Sequence, residues 1–282
     1  MSTQRARRTA LRPAALISSL AIVAAVGCSD SVAPTNLAQQ NAPQPAGLPS
    51  WQQLKDALTT AQKEGTNGNG GLGFDMWGTV VDRNGTVVAV AFTGANVGDQ
   101  WPASRVISAQ KANTANSLSL TGFALSTANL FAATQPGGSL FGLQFSNPVD
   151  PAVAYAGNSG DYGTQKDAMV GNKIGGINVF GGGLALYASD GTILGAIGVS
   201  GDLSCADHII AWKTRHTLTL DFVPAGVADS GADDNIIFDI DSTGKSAGGF
   251  GHPTCNDSTT SIGKALPQTN PIGKVQQQKA GG

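Results

Sequence analysis

Residues 181–202 read Gly181-Gly-Gly-Leu-Ala-Leu-Tyr-Ala-Ser-Asp-Gly-Thr-Ile-Leu-Gly-Ala-Ile-Gly-Val-Ser-Gly-Asp202, which predicts a strand, a tight turn, a second strand and a glycine-rich exit. Asp190-Gly191 is a preferred two-residue hairpin loop, because both central residues of a type I′ turn need positive φ. The apolar run at residues 192–199 barely alternates, which indicates a strand covered on both faces. The exit at residues 198–202, with Gly201, offers backbone N–H groups that could hold an anion or shape a pocket.

A second hairpin of the same kind lies upstream. Residues 79–90 contain Asn84-Gly85 at the turn, followed by a strand of β-branched and small apolar residues. Strands of this composition on either side of a turn dipeptide are the usual signal of a hairpin. Two similar hairpins predict one antiparallel sheet built from two related halves.

Helical signals flank the two hairpins. Ser50 and Gln53 form a capping box, so a helix begins directly after Ser50. Small residues at 103–117 predict a helix that can lie close to a sheet, and residues 203–218 predict another, with Asp202 as its N-cap. Short strands are predicted at 140–145 and 236–240. Helices interspersed with antiparallel hairpins indicate the α+β class.

The polar, glycine-rich stretch at residues 147–176 is a long excursion from this pattern. Loops of this length in a compact domain are uncommon and usually functional. We expect it to act as a lid, a pocket wall or a subunit contact.

The N-terminus has the pattern of an export signal. Four arginines between residues 5 and 12 precede an apolar stretch that is too short to remain as a membrane span. The stretch ends in Ala25-Val-Gly-Cys28, which resembles a bacterial lipobox. We therefore expect residues 1–27 to be a lipoprotein signal peptide and Cys28 to be lipidated. A plain secretory signal is the alternative. Ser29 favours the outer membrane of a Gram-negative cell, on its periplasmic face.

Composition divides the remaining chain into three parts. Residues 28–48, rich in Ala, Pro, Gln and Asn, predict a flexible tether, and residues 263–282 predict a disordered tail. Residues 49–262 hold one domain with a C-terminal extension. Without residues 1–27 the chain has 13 basic and 19 acidic side chains, a net charge of −6. This charge argues against nucleic-acid binding, and membrane contact is expected only through the lipid.

Two cysteines remain once Cys28 is assigned to the lipid. Cys205 and Cys255 are expected to form a disulfide in an oxidising compartment. Closing a loop of about 50 residues would stabilise the fold by roughly 4 kcal/mol. A zinc site is the alternative, because His208 and His252 each lie three residues from one of these cysteines.

The three histidines are the scarce reactive groups of the chain. A disulfide would bring His252 toward His208, and that pair could bind a metal or supply an axial ligand to haem. Each histidine could equally be a structural residue that caps a helix or satisfies a buried carbonyl. The structural interpretation is the one we favour for His216.

Four segments together carry a resemblance to a known family. They are Val80-Val-Asp82 with Gly85 after it, Ala109-Gln-Lys-Ala-Asn-Thr-Ala115, Gln135-Pro-Gly-Gly138 and the opening stretch through Gly201. Over roughly residues 50–218 the chain is similar to the GlcG/HbpS-like haem-binding, haem-degrading family. The resemblance implies a profilin-like three-layer α/β/α fold with a central antiparallel sheet. It also implies homo-oligomers and secreted or periplasmic members that bind haem, some of them linked to redox sensing.

Residues of this chain can be matched to that pattern only in part. Lys111 and Thr114 match the family's helix segment in type and join Gly201 as candidate cofactor-binding residues, with packing or capping as their alternative role. The excursion at 147–176 and the C-terminal extension depart from the short family pattern. The chain also lacks a Cys-x-x-Cys-His haem motif, so the iron ligand stays open.

Two functions from different classes follow. The first is a lipid-anchored extracytoplasmic protein that binds haem or another tetrapyrrole, in haem handling or redox sensing. The alternative is a periplasmic enzyme or binding protein for a small organic acid, whose anion would lie on the exit at residues 198–202. An oligomeric interaction module without a small ligand is a third hypothesis.

Overall fold

The computed structural model describes residues 45–276. The expected signal peptide, Cys28 and most of the expected tether lie outside the described residues. The helices are α1 (Trp51–Gln62), α2 (Gly65–Asn69), α3 (Ser104–Leu118), α4 (Phe131–Thr134), α5 (Pro151–Ala154), α6 (Ser204–Thr217) and α7 (Asp257–Thr269). The strands are β1 (Trp77–Asp82), β2 (Val87–Phe92), β3 (Gly183–Tyr187) and β4 (Ile193–Ser200). Within this part of the chain, no helix has the length and apolarity to cross a bilayer.

The four strands form one antiparallel sheet with the order β2-β1-β4-β3. The central strands β1 and β4 pair from Trp77 opposite Ser200 to Asp82 opposite Gly195. Each outer strand is the hairpin partner of a central strand. The prediction of a single sheet built from two hairpins is therefore confirmed.

Both hairpins close with a three-residue loop, so the predicted type I′ turns are wrong. In the second hairpin, the Ala188 N–H donates to the Thr192 carbonyl at 2.9 Å, which leaves three residues in the loop. Gly191 has a φ of 81°, whereas Asp190 does not have positive φ. A type I turn followed by one left-handed residue gives this loop, and only the left-handed position needs glycine. The Asn84-Gly85 hairpin closes in the same way.

Helices cover both faces of the sheet. On one face, α1, α6 and α7 bury side chains that include Leu54, Leu58, Val80, Ile197, Ile209 and Leu266. On the other face, α3 packs through small residues, in a cluster that includes Val81, Val106, Ala109, Ala112 and Ala196. The profilin-like three-layer α/β/α arrangement with a central antiparallel sheet is thus confirmed.

Helix α3 lies very close to β4. A Cβ on Gly198 would overlap the carbonyl oxygen of Ser108 on α3, so only glycine is compatible with this spacing. Ala109 and Ala112 are fully buried at the same contact. The short distance allows the side chain of Lys111 to reach the end of β4, where the glycine-rich exit begins.

Several predictions about the outer segments are wrong. Residues 140–145 form consecutive turns, because Gly142 has a φ of 93° that breaks an extended run. Residues 236–240 make only an isolated bridge from Ile240 to Ser246. The disordered tail predicted from residue 263 overlaps α7, which continues to Thr269 because Leu266 is buried against α6. At the other end, Leu48 of the expected tether is already part of the core.

The excursion at residues 147–176 is an integral layer over α3 and β2. Arg105 of α3 donates from Nε to a carboxylate oxygen of Asp167 at 2.9 Å, and both side chains are buried. The guanidinium also lies 3.6 Å from the centre of the Tyr162 ring. Met169 and Ile174 of the excursion complete the core beneath α3. The segment is therefore a fixed wall of the domain.

Candidate functional site

A buried ion pair lies at the end of the sheet, below the glycine-rich exit. Lys111 reaches from α3 and Asp207 from α6, and the Lys111 Nζ lies 2.6 Å from the Asp207 Oδ2. Nζ also donates to the Val199 carbonyl at 2.9 Å and lies 4.6 Å from the centre of the Phe180 ring. Neither charged group is exposed to solvent. This position makes Lys111 a link between helices on opposite faces of the sheet.

The backbone N–H groups of the exit at residues 198–202 bind an anion, as the sequence predicts. That anion is a side chain of the protein itself, the carboxylate of Asp207. The second carboxylate oxygen of Asp207 accepts the Gly201 N–H at 3.1 Å and the Asp202 N–H at 2.9 Å. The backbone donors that could bind a small organic acid are therefore already used. This geometry removes the observation on which the organic-acid hypothesis depended.

Burial opposes the charge on both partners of this pair. It raises the pKa of Asp207 to about 6, against the lowering effect of Lys111 and of the hydrogen bonds that the carboxylate accepts. Burial also lowers the pKa of Lys111, against the raising effect of Asp207. A charge on either group alone would therefore be unfavourable in this buried position. Each charged group is stabilised by the opposite charge of its partner.

Asp202 is not the N-cap of α6 that the sequence predicts. Leu203 occupies that position, and α6 begins without a side-chain cap. The Asp202 carboxylate instead accepts backbone N–H groups of Leu72, Gly73 and Phe74, at 2.9 to 3.2 Å. It thereby fixes the loop that carries the exposed side chains of Leu72 and Phe74.

Thr114 has a structural role on α3. Its hydroxyl donates to the Gln110 carbonyl at 2.7 Å and accepts the Asn178 N–H at 2.9 Å. The residue is buried, so the hydroxyl does not reach solvent. It thereby connects the segment before β3 to α3. Thr114 thus has the packing role that was the alternative to cofactor binding.

Cys205 and Cys255 form a disulfide, as predicted. Their Cα atoms lie 6.1 Å apart across a sequence separation of 50 residues. The bond ties the first turn of α6 to the segment that leads into α7. Neither sulfur is left as a thiolate for zinc, and residues 45–276 hold no group of three or more His, Cys, Asp or Glu side chains suited to a metal ion.

The disulfide brings His252 toward His208, as expected, but both rings are enclosed. The Gly181 N–H lies 3.4 Å from the His252 Nε2, and a Cβ on the same glycine would lie 3.0 Å from the His208 Cβ. His208 is fully buried and His252 almost so. Burial lowers the pKa of His208 to about 3 and that of His252 to about 4, so both rings are neutral.

The ring nitrogens of both histidines face protein atoms. The His208 Nε2 accepts the Ile236 N–H at 3.1 Å, and its Nδ1 is buried without a partner among the described residues. The His252 Nδ1 donates to the Pro253 carbonyl at 2.7 Å, and its Nε2 lies 3.3 Å from the Ser204 hydroxyl. Neither ring presents a free nitrogen at the protein surface.

His216 is the histidine that reaches solvent. It lies in the last turn of α6, and 39% of its side chain is exposed. Its Nδ1 lies 2.7 Å from the Oδ2 of Asp221, a carboxylate that is only 6% exposed. The structural role predicted for His216 accounts for the hydrogen bond of Nδ1. It does not account for Nε2, which has no hydrogen-bond partner among the described residues.

A comparison with protein families identifies the family of this chain. The family model described as haem degrading protein HbpS-like matches residues 50–215. This range is more than half of the chain. The protein belongs to the HbpS-like family. No curated protein matches the chain significantly.

Two solved structures resemble this HbpS-like chain at low identity. The Klebsiella pneumoniae protein ORFY, of the DUF336 family, is 24% identical, with 60% of this chain and 86% of that chain covered and a TM-score of 0.41. PduOC, in a structure described as a haem complex, is 22% identical, with coverage of 59% and 89% and a TM-score of 0.40.

The match ends one residue before His216, so the pair of His216 and Asp221 is outside the part that this protein shares with the HbpS-like model. Sequence reasoning missed this pair because the two residues face each other only through a chain reversal after α6. Asp207 was also missed, although an acidic residue in the first turn after a glycine-rich exit is a usable signal.

Proposed function

We propose that this HbpS-like protein binds haem or a related tetrapyrrole outside the cytoplasm and takes part in haem handling or redox sensing. The observation that carries the proposal is the family match over residues 50–215, whose description names haem. Haem would supply an iron that takes axial ligands and changes oxidation state. PduOC, the structural neighbour described as a haem complex, is in keeping with this proposal.

Of the three histidines, one fits the role of a ligand to the haem iron and two do not. His208 and His252 do not fit as axial ligands, because both rings are enclosed and their nitrogens face protein atoms. Sulfur ligands do not fit either, since Met76 and Met169 are fully buried and the two described cysteines are joined to each other. The outward nitrogen of His216 does fit.

The proposed location is the periplasmic face of an outer membrane, with Cys28 as the lipid-bearing residue. The lipobox-like Ala25-Val-Gly-Cys28 and the basic residues before it support this location. The disulfide between Cys205 and Cys255 supports an oxidising compartment. Mass spectrometry of the N-terminal peptide tests the proposal, since an unmodified Cys28 in the membrane-extracted protein would contradict it.

We also propose that the protein forms homo-oligomers. Leu72, Phe74 and Trp101 are exposed, and the Phe74 and Trp101 rings contact each other edge to face at 5.3 Å. Such an apolar surface is a common place for a subunit contact. Light scattering tests this point, and a monomer at high concentration would refute it.

A haemin titration of the mature protein tests the function itself. We expect a saturable shift of the Soret band at one haemin per chain. Iron-free protoporphyrin is the matched control, because it separates binding of the ring from ligation of the iron. Absence of a Soret shift at stoichiometric haemin would end the proposal.

A further inference from the structure

His216 and Asp221 form a pair with the arrangement of a metal-ligating histidine and its supporting carboxylate. A carboxylate only accepts hydrogen bonds here, so the Nδ1 of His216, 2.7 Å from Oδ2, carries the proton. In the neutral ring Nε2 then holds the lone pair, and it has no partner among the described residues. Metal-bound histidines almost always donate their other N–H to a carboxylate, a carbonyl or water, which fixes the ring and raises its basicity.

The backbone between the two residues is held in an unfavourable conformation. Thr219 has a φ of 56°, in the left-handed region that a β-branched residue rarely occupies. The Thr219 N–H donates to the His216 carbonyl at 2.9 Å, which closes the end of α6 and turns the chain back. Strained residues of this kind persist where surrounding structure holds them, and they cluster at ligand sites. The reversal is what places Asp221 against the imidazole.

His216 and Asp221 are both held by regular secondary structure. His216 lies within α6, which is buried along most of its length. Asp221 pairs with Tyr187 in a parallel bridge at the edge of the sheet, and the Tyr187 N–H donates to the Leu220 carbonyl at 2.8 Å. Ligands carried by rigid elements are positioned more accurately than ligands on loops.

The same sheet edge also carries exposed apolar surface. The Tyr187 hydroxyl donates to the Leu120 carbonyl at 2.8 Å, which holds the turn at residues 120–123 at this edge. The Leu120 side chain is 61% exposed and Phe123 is also exposed. A ring with apolar faces needs such a surface to lie against.

We propose that His216 supplies the axial nitrogen ligand of the haem iron, through Nε2, and that Asp221 is its positioning residue. The inference rests on the proposed function and adds the site. Because both residues follow the matched range 50–215, the ligand would be a feature of this chain outside that range.

The test is a haemin titration of the mature chain and its variants. His216→Ala should abolish the spectrum of histidine-ligated haem, and added imidazole should restore it. Asp221→Asn should weaken haemin binding by roughly 10- to 100-fold, because the ring loses its orienting partner. Thr217→Ala, on the exposed neighbour of His216, is the matched control and should bind like the unmodified protein.

A second variant distinguishes loss of the iron ligand from misfolding of the protein. His216→Tyr places a phenolate donor at the same position and should replace the histidine spectrum with the high-spin spectrum of a tyrosine-ligated iron, measured by absorbance and electron paramagnetic resonance. If the unmodified protein gives no Soret shift, the proposed function fails. If it gives one that is the same in His216→Ala and His216→Tyr, the function stands and the assignment of His216 is wrong.

Discussion

Lys111 and Asp207 join the two helical layers of the protein around the end of the sheet. Their side chains come from α3 and α6, on opposite faces, and meet with 2.6 Å between Nζ and Oδ2. Gly182 makes the meeting possible, because a Cβ at this position would lie 2.9 Å from Nζ and 3.1 Å from the Asp207 Cβ. The glycines before β3 therefore leave room for a charge pair.

Loss of one partner of this pair should be costly. We expect Lys111→Met to lower the free energy of unfolding by about 3–5 kcal/mol, since the Asp207 carboxylate would be buried without a counter-charge. The double variant Lys111→Met, Asp207→Leu should recover a large part of this loss. Chemical denaturation of the two single variants and the double variant measures the coupling, and purely additive losses would show that the ion pair contributes nothing.

Acid should destabilise the protein through its enclosed histidines. Burial lowers the folded-state pKa of His208 to about 3 and of His252 to about 4, below the ordinary value of 6.5. The unfolded chain therefore binds more protons in this range, so the free energy of unfolding should fall as the pH falls from about 6.5 to about 4. Asp207, whose pKa is raised to about 6, acts in the opposite direction below about pH 6, over most of this range, so the fall reflects the larger effect of the two histidines.

Denaturant unfolding at several pH values checks this expectation. His252→Gln should retain the fold and reduce the pH dependence, because glutamine does not titrate. A variant with the same dependence as the unmodified protein would show that His252 does not contribute to acid sensitivity.

The strained residue after α6 offers a stabilising substitution. Thr219→Gly should raise the free energy of unfolding by about 1 kcal/mol, because glycine adopts positive φ without the steric cost that threonine has. Thr217→Gly, inside the last turn of α6, is the opposite control and should lower it by only about 0.3 kcal/mol, because threonine is itself a weak helix former. Thermal unfolding of the two variants provides the comparison. Equal effects at the two positions would mean that the φ of Thr219 is not a source of strain.

Removal of the disulfide should show how much this bond contributes to the free energy of unfolding. The double variant Cys205→Ser, Cys255→Ser should lose about 4 kcal/mol, the chain-entropy value for a loop of this length. The unmodified protein, unfolded with and without a reducing agent, provides the matched measurement. A loss well below about 1 kcal/mol would indicate that packing of α7 alone holds the extension in place.

Local patterns in the sequence were sufficient for the sheet and the main helices, whereas the disulfide was predicted from the export signal and the number of cysteines that remain. Turn dipeptides, strand composition and a capping box at Ser50 act over a few residues, and each is visible without knowledge of the fold. Helix α7 was missed because its moderate apolar signal lies in a polar stretch, and its stability comes from the burial of Leu266 against α6. Tertiary packing of this kind is not written in local composition.

Predictions about the site depended on exposure, which the sequence does not show. His208 and His252 are close together, as the cysteine pairing implied, yet segments distant in sequence enclose both rings. The exit near Gly201 has the expected donors, and Asp207 five residues later uses them. His216 was interpreted as structural because nothing in the sequence marks the reversal that brings Asp221 to its ring.

The C-terminal extension also decides which surfaces are open for assembly. The Asn270 carbonyl accepts the Trp212 indole N–H at 2.9 Å, and the Gly263 carbonyl accepts an amide N–H of Asn235 at 2.9 Å. Residues beyond the matched range thus lie over the outer side of α6. A chain that ended near residue 215 would present that helix to a neighbouring subunit. In this protein the helix is already inside the monomer, so a quaternary contact built on α6 is closed to it.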